Sequence, residues 1–166
     1  MSELDWEIRP YEASDAQAVR TLLEASFETA VEAKLTEELR ADGDAEIELV
    51  ADSSEGVLGH IILSRMTSPD RALGLGPVAT SPDFRKQGVA ASLIESALAL
   101  ATANDWTTVF LLGSPDFYAQ FGFSSEKAAA FESAYDAPHW QMTVLDEDEA
   151  PTSGKAIYAA AFQRLD

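Results

Sequence analysis

A mixed α/β domain with a central, mostly antiparallel sheet flanked by helices is the fold class this sequence predicts, and three features predict it. Glu46–Asp52 and Val57–Met66 have the make-up of strands and are separated by the turn residues Ser53-Ser54-Glu55-Gly56, the form of an antiparallel hairpin. From Ala90 onward, Leu93, Ile94, Ala97, Leu98 and Ala101 fall at the i, i+3, i+4, i+7 spacing of a helix with one buried face. Val109–Leu112 is apolar at every position, as in a strand covered on both faces of a mixed or parallel sheet. At 166 residues, with 46% hydrophobic and 24% charged, the chain has the length and composition of one domain over 1–166, with a core that needs no metal or disulfide.

Trp6–Tyr11 reads as an opening strand that ends near Pro10. Ser14-Asp15-Ala16-Gln17 then has the form of a capping box, and Val19, Leu22, Leu23 and Phe27 continue at helical spacing. Thr29-Ala30-Val31-Glu32 repeats the starting signal, and Val31, Leu35 and Leu39 mark a second short helix that stops by Gly43. In Glu46–Asp52 the alternation puts Ile47, Leu49 and Ala51 on one face and Glu46 and Glu48 on the other, as in a half-buried strand. After the hairpin, a loop around Ser68-Pro69-Asp70 leads into Ala72–Thr80, where Gly74, Gly76 and Pro77 mark a bulge or a splayed edge. The helix from Ala90 runs to about Asn104, and beyond Val109–Leu112 a short helix from Pro115 to Phe121 is closed by Gly122. Trp140–Leu145 and Lys155–Phe162 read as two further strands joined across Asp146-Glu147-Asp148-Glu149, with Pro151 and Gly154 in the reversal. The carboxylate run lacks EF-hand spacing and reads as a solvated loop.

Charge narrows the function classes. The 29 acidic residues against 11 basic ones leave a formal net charge of -18. Such a surface repels the nucleic-acid backbone and anionic membranes alike, which sets both aside as partners. The absence of cysteine removes disulfides, thiolate nucleophiles and zinc–cysteine sites, and two histidines leave little for a metal centre, so no metal is expected. Met1–Glu7 has no basic region followed by an apolar one, and no stretch approaches ~18 uninterrupted apolar residues, so a cytoplasmic protein is the expectation. Lysine is scarce beside arginine, alanine is abundant and carboxylates run along the whole chain. That composition fits a halophilic cytoplasm holding molar salt, where self-repulsion is screened, and also an acidic protein of ordinary salt.

Leu75 to Ala90 is the most informative segment. A broken strand passes through a short turn into a helix whose first turn is Gly88, Val89 and Ala90, with Arg85 and Lys86 immediately before it. The first amides of a helix lack internal partners and sit at the positive end of its dipole, and small residues at Gly88 and Ala90 let a phosphate approach them. No Lys-Ser or Lys-Thr follows the glycine and no Gly-x-Gly-x-x-Gly is present, so a pyrophosphate without magnesium fits better than a nucleoside triphosphate. Alone, Arg/Gln-x-x-Gly-x-Gly/Ala recurs by chance in roughly one chain of this length in six, so context decides. Here the motif lies between a proline-broken strand and a long amphipathic helix, followed by an apolar strand and Phe117-Tyr118-Ala119-Gln120-Phe121-Gly122-Phe123. On these residues the sequence resembles the GNAT-type N-acetyltransferase superfamily, whose acetyl-coenzyme A motif is this strand, loop and helix, over nearly the whole chain. Within it the sequence is similar to the YhbS-like branch, through Gly59-His60-Ile61, Leu75-Gly76-Pro77-Val78, Leu112-Gly113-Ser114-Pro115, Tyr118 with Phe121-Gly122-Phe123, and Gly154, Tyr158 and Phe162.

The resemblance implies the GNAT acyl-coenzyme A N-acyltransferase fold and direct transfer from acetyl-coenzyme A to a small-molecule or peptide amine. It puts Val78 and Thr80 beside the pantetheine arm, with the Val78 amide polarising the thioester carbonyl. It wraps Arg85, Lys86, Gln87, Gly88, Val89 and Ala90 around the pyrophosphate and lines the channel with Ser114 and Phe117. Tyr118 would protonate the departing thiolate, a transfer between a phenol of pKa about 10 and a thiol of about 8.5. Paired C-terminal strands would support a homodimer. Related readings are an acyltransferase using another acyl-coenzyme A or a hydroxyl acceptor, and a non-catalytic acyl-coenzyme A sensor. Without the resemblance, Tyr118 also reads as core, and Arg85 and Lys86 also read as two solvated charges. His60 reads as a packed strand residue before a base, His139 as a loop residue, and Glu28 as a surface carboxylate before an acceptor-side one. Leu73–Thr80 contains no carboxylate, and no general base is assigned.

Overall fold

The computed structural model describes residues 5–165; Met1–Leu4, part of the stretch read for targeting signals, and Asp166 lie outside the described residues. In chain order the elements are β1 (Trp6–Pro10), α1 (Ala16–Ser26), α2 (Val31–Asp42), β2 (Ala45–Ser53), β3 (Gly56–Arg65), β4 (Ala72–Thr80), α3 (Val89–Ala103), β5 (Thr108–Leu112), α4 (Pro115–Tyr118), α5 (Ser125–Ala128), β6 (Phe131–Glu132), β7 (Trp140–Val144), β8 (Gly154–Lys155) and α6 (Ala160–Gln163). Six strands form one sheet in the order β1-β2-β3-β4-β5-β7, antiparallel at every pairing except β4–β5. This is the mixed, mostly antiparallel sheet that the alternating segments predict.

The period-2 pattern decides what covers each face. Ile47, Leu49, Ala51, Ile61, Leu63 and Leu73 point to one side, where Leu93, Ile94, Ala97 and Ala101 of α3 close over them. On the other side Val50 and Ala79 meet Val19, Leu22 and Leu23 of α1, and Ile62 meets Leu35 and Leu39 of α2. A further core lies beneath β5 and β7, where the Trp140 ring stacks on Phe110 at 4.9 Å.

Three sequence expectations need correction. Glu48 is not on an open face: α2 covers it, and its side chain, 8% exposed, pairs with Arg40 at 2.7 Å and with His60 at 2.6 Å. Alternation identified the second face of β2 but not the helix that covers it. At the entry to α1 the capping box is made by Glu12 and Asp15 instead of Ser14 and Gln17. The Arg9 fork donates to both Asp15 oxygens at 2.8 Å and draws that carboxylate inward, where the Glu12 amide also reaches it. Lys155–Phe162 is not a strand. β8 covers only Gly154–Lys155 and pairs with β6 in a separate two-stranded sheet, after which the chain turns into α6. Its apolar residues are held by side-chain packing, with Tyr158 and Phe162 stacked at 4.8 Å. Among the described residues β7 pairs with β5 and β8 with β6, and no strand pair joins β7 to the C-terminus.

The bulge in β4 positions the site. Ile61 of β3 lies opposite Val78 and Leu63 opposite Leu75, so the Gly76-Pro77 stretch carries one residue more than its partner strand. On the other edge β4 pairs with β5 only over Ala72–Gly74. From Leu75 to Thr80 that edge has no strand partner among the described residues.

Candidate active site

Two cavities open on either side of Val78 where β4 leaves β5. The first, of about 330 Å³, is bounded by Val78–Thr80, Arg85, Lys86, Gly88, the first α3 residues Val89–Ala91, Ser26 and Phe27 at the end of α1, and Phe117 of α4. Its floor is the uncapped start of α3 beside two cations. Gly88 caps α3 at a φ of +85°, a left-handed conformation natural to glycine. Ser92 is the first amide to bond back within the helix, to the Gly88 carbonyl at 3.0 Å, and no side chain caps the amides before it. Those amides keep their bonding capacity at the positive end of a 15-residue helix. Its first turn sits directly on β3, because a Cβ at Gly59 would come within 2.7 Å of Val89 Cγ1. Arg85 and Lys86 are exposed, and neither has an acidic partner among the described residues. Arg85 reaches only the Thr80 carbonyl, at 3.4 Å.

The second cavity, of about 440 Å³, shares Val78 and Phe27 with the first. Leu35, Leu75, Pro77, Leu112, Tyr118, Tyr135, Tyr158, Phe162 and Leu165 form its walls, and among the described residues Glu32 is the one charged side chain that lines it. Phe117 and Tyr118 are consecutive, so α4 contributes one ring to each cavity. The Tyr118 ring packs directly on Gly113, where a Cβ would approach it to 2.5 Å. That turn is held from behind by buried Gln141 of β7, whose amide donates to the Gly113 carbonyl at 3.0 Å. Phe117 and Phe123 meet the ring edge-on at 5.0 and 5.9 Å. Burial pushes the Tyr118 phenol above its ordinary pKa, so it is protonated across the neutral range.

Of the residues singled out in the sequence, Val78, Thr80, Arg85, Lys86, Gly88, Val89, Ala90 and Phe117 line the first cavity, and Val78 and Tyr118 line the second. Gln87 and Ser114 line neither. Gln87 is an exposed loop residue, and Ser114 is the N-cap of α4, its carbonyl accepting the Tyr118 amide at 3.1 Å. His60 is wholly buried against Glu48 and away from both cavities, and His139 is an exposed loop residue. Glu28 is exposed and outside both cavities, whereas Glu32, read only as a helix-start residue, lines the second. It has the starting role too, since the Thr29 hydroxyl donates to it at 3.4 Å. Its signal in the sequence was its position three residues before Leu35, which places both on one face of α2. Tyr135 carried no local signal at all.

Residues 7–125 match the acetyltransferase (GNAT) domain family, and the chain belongs to the GNAT acetyltransferases. It is 36% identical over 113 residues to the N-acetyltransferase YhbS of Escherichia coli K12, covering 66% of this chain and 68% of that protein. The crystal structure of Escherichia coli YhbS in complex with CoA matches with a TM-score of 0.90 at 29% identity, over 100% of this chain and 96% of that one. A GNAT family acetyltransferase from Brucella melitensis in complex with acetyl-CoA matches with a TM-score of 0.81 at 28% identity, over 95% and 97%. No helix among the described residues is long and apolar enough to cross a membrane, and none of their acidic and histidine side chains gather into a metal-binding group.

Proposed function

We propose that this chain, acting as a single domain, is an N-acetyltransferase that moves the acetyl group of acetyl-coenzyme A directly to an amine held in the same complex. The observation that carries the reading is the meeting of the two cavities at Val78, an anion-shaped site on one side and an apolar chamber on the other. The CoA-bound YhbS and acetyl-CoA-bound Brucella structures support the choice of ligand. Arg85, Lys86 and the unpaired amides from Gly88 to Ala90 take the pyrophosphate, and the small residues there keep side chains out of its way. The unpartnered edge of β4 offers Val78 and Thr80 to the pantetheine arm, and Phe117 covers it.

Atoms balance without an enzyme-bound acyl group. The neutral amine nitrogen bonds to the acetyl carbon, the carbon–sulfur bond breaks, Tyr118 gives its proton to sulfur, and the proton leaving nitrogen restores the phenol. No cysteine is present to carry the acetyl group on a thiol. Proximity within one complex is the largest contribution, about 7–11 kcal/mol for well-oriented partners. The Val78 amide, donating to the carbonyl oxygen as charge develops, adds about 2.7–4 kcal/mol if it acts as oxyanion donors do elsewhere. Tyr118 adds a proton-transfer factor of roughly 10²–10⁴. Its raised pKa makes it a resting acid that releases its proton only as charge builds on sulfur.

Free thiol released from acetyl-coenzyme A, measured over a panel of amines at low and at molar salt, tests the reading. Release that depends on an added amine supports it. Bound cofactor with no release to any amine or hydroxyl compound would make the chain a sensor instead.

A further inference from the structure

We propose that the acceptor is a primary monoamine on an apolar, aromatic body, entering as its ammonium ion, and that Glu32 is the residue that selects it. The inference rests on the acetyl-transfer reading and specifies the chemistry of the second cavity. Charge is the first argument. Among the described residues Glu32 is the only charged group lining that cavity, and no cation lines it. An amine with a neighbouring carboxylate would bring a second anion into an apolar chamber with nothing to neutralise it. A polyamine would bring several ammonium groups against one carboxylate and leave the rest desolvated. A single ammonium matches the single carboxylate, and the net charge of -18 draws cations toward it from solution.

The walls supply the second argument. Tyr135 and Tyr158 lie with ring centroids 5.6 Å apart, and Phe162 stacks on Tyr158. These rings cover an aromatic body, and their faces attract a cation. The arrangement is fixed from below, since a Cβ at Gly74 would approach the Tyr158 ring to 2.6 Å. Burial, then Tyr135, raises the Tyr158 phenol well above its ordinary pKa, so neither Tyr118 nor Tyr158 becomes a second anion at neutral pH. Leu112 and Leu165, 44% and 37% exposed, extend the apolar surface to the rim. Half-buried Glu32, held by Thr29 in the first turn of α2, lines the same chamber as Val78 and meets the ammonium on its way to the thioester. The ammonium gives one proton to solvent before nitrogen attacks, so the sum is ammonium plus thioester to amide plus thiol plus a proton.

The test measures thiol release with saturating acetyl-coenzyme A and four acceptors: 2-phenylethylamine, phenylalanine, spermidine and a tripeptide of neutral side chains. The expected kcat/KM for 2-phenylethylamine exceeds each of the others by at least about tenfold, the worth of one charge-assisted contact. Glu32→Gln should raise its KM by about tenfold while leaving kcat and coenzyme A affinity within about twofold, and Glu32→Asp should restore most of the loss. Unchanged coenzyme A affinity also reports that Glu32→Gln folds. Preference for phenylalanine, spermidine or the tripeptide, or an unchanged KM in Glu32→Gln, overturns the proposal. Release with none of the four while acetyl-coenzyme A still binds overturns the acceptor class alone; failure to bind acetyl-coenzyme A overturns the reading beneath it.

Discussion

The two cavities share Val78 and Phe27, yet are made of different materials. The first presents main chain, a free strand edge and the opening amides of α3, beside two cations without an acidic partner among the described residues, with half of its lining drawn from the short stretch Arg85 to Ala91. The second is lined by side chains everywhere but Gly76, gathered from Phe27, α2, β4, β5, α4, the segment before β7 and the C-terminal residues. A site of amides keeps its ligand under most substitutions, because every residue but proline supplies the same donor. A site of side chains changes its ligand with each substitution. One fold can therefore hold one donor constant while varying the acceptor, and Val78 is where the two meet.

The largest effect should come from the residue that acts across that boundary. Tyr118→Phe is expected to lower kcat by at least about 100-fold while coenzyme A affinity stays within a factor of about two, because the acid is lost and the anion site is untouched. Equilibrium binding beside turnover checks it, and unchanged turnover removes Tyr118 from the mechanism. The reciprocal change is Gly88→Leu. There is open space for a Cβ at Gly88, but the φ of +85° strains any other residue and the side chain would stand over the amides. Loss of two charge-assisted contacts predicts coenzyme A binding weaker by about 100-fold or more. Retained binding would break the assignment of the loop.

The same contrast explains what was legible in the sequence. Strands β2 to β4, the helix α3 and the turn that leads into it are local patterns, and each falls within a few residues of where periodicity and glycine placement put it. The acceptor side depends on long-range packing. Tyr135, Tyr158 and Phe162 meet only after the chain has crossed β7, and Lys155–Phe162 reads as a strand although its buried residues Ala156 and Tyr158 are held by side-chain packing. Glu48 misled for a related reason: an acidic residue in an alternating strand signals solvent unless a cation on a distant helix is known to cover it.

That covered carboxylate gives a way to separate the two sides. Burial pushes Glu48 up, but hydrogen bonds from His60 and Arg40 outweigh it and hold its pKa below the ordinary 4.5. Folding stability from this group is therefore complete above about pH 4.5 and is lost as pH falls through the lower folded value. Arg40 belongs to α2, so acid should loosen α2, with Glu32 at its other end, before α3. Amide exchange followed from pH 7 downward through the acid range is expected to show α2 losing protection before α3; equal loss would refute the coupling. Glu48→Gln should cost about 3 kcal/mol, near the low end for a broken buried pair, seen as a melting temperature lower by roughly 6–12 °C.

The smallest expected effect is that of salt on the cofactor. Acetyl-coenzyme A is an anion docking on a protein of net charge -18, so Arg85, Lys86 and the α3 amides work against an unfavourable field from the rest of the surface. Raising salt shortens the screening length from about 8 Å near 0.15 M to about 3 Å at 1 M. Distant carboxylates are silenced first, whereas amide contacts made at hydrogen-bond distance persist. Attraction from the two exposed cations weakens as well, and the two losses oppose each other. Coenzyme A affinity measured by titration calorimetry from dilute to molar potassium chloride should therefore hold within about threefold or rise. A steep fall would mean that the two cations carry the site instead of the backbone, which would remove the distinction between a main-chain cavity and a side-chain one.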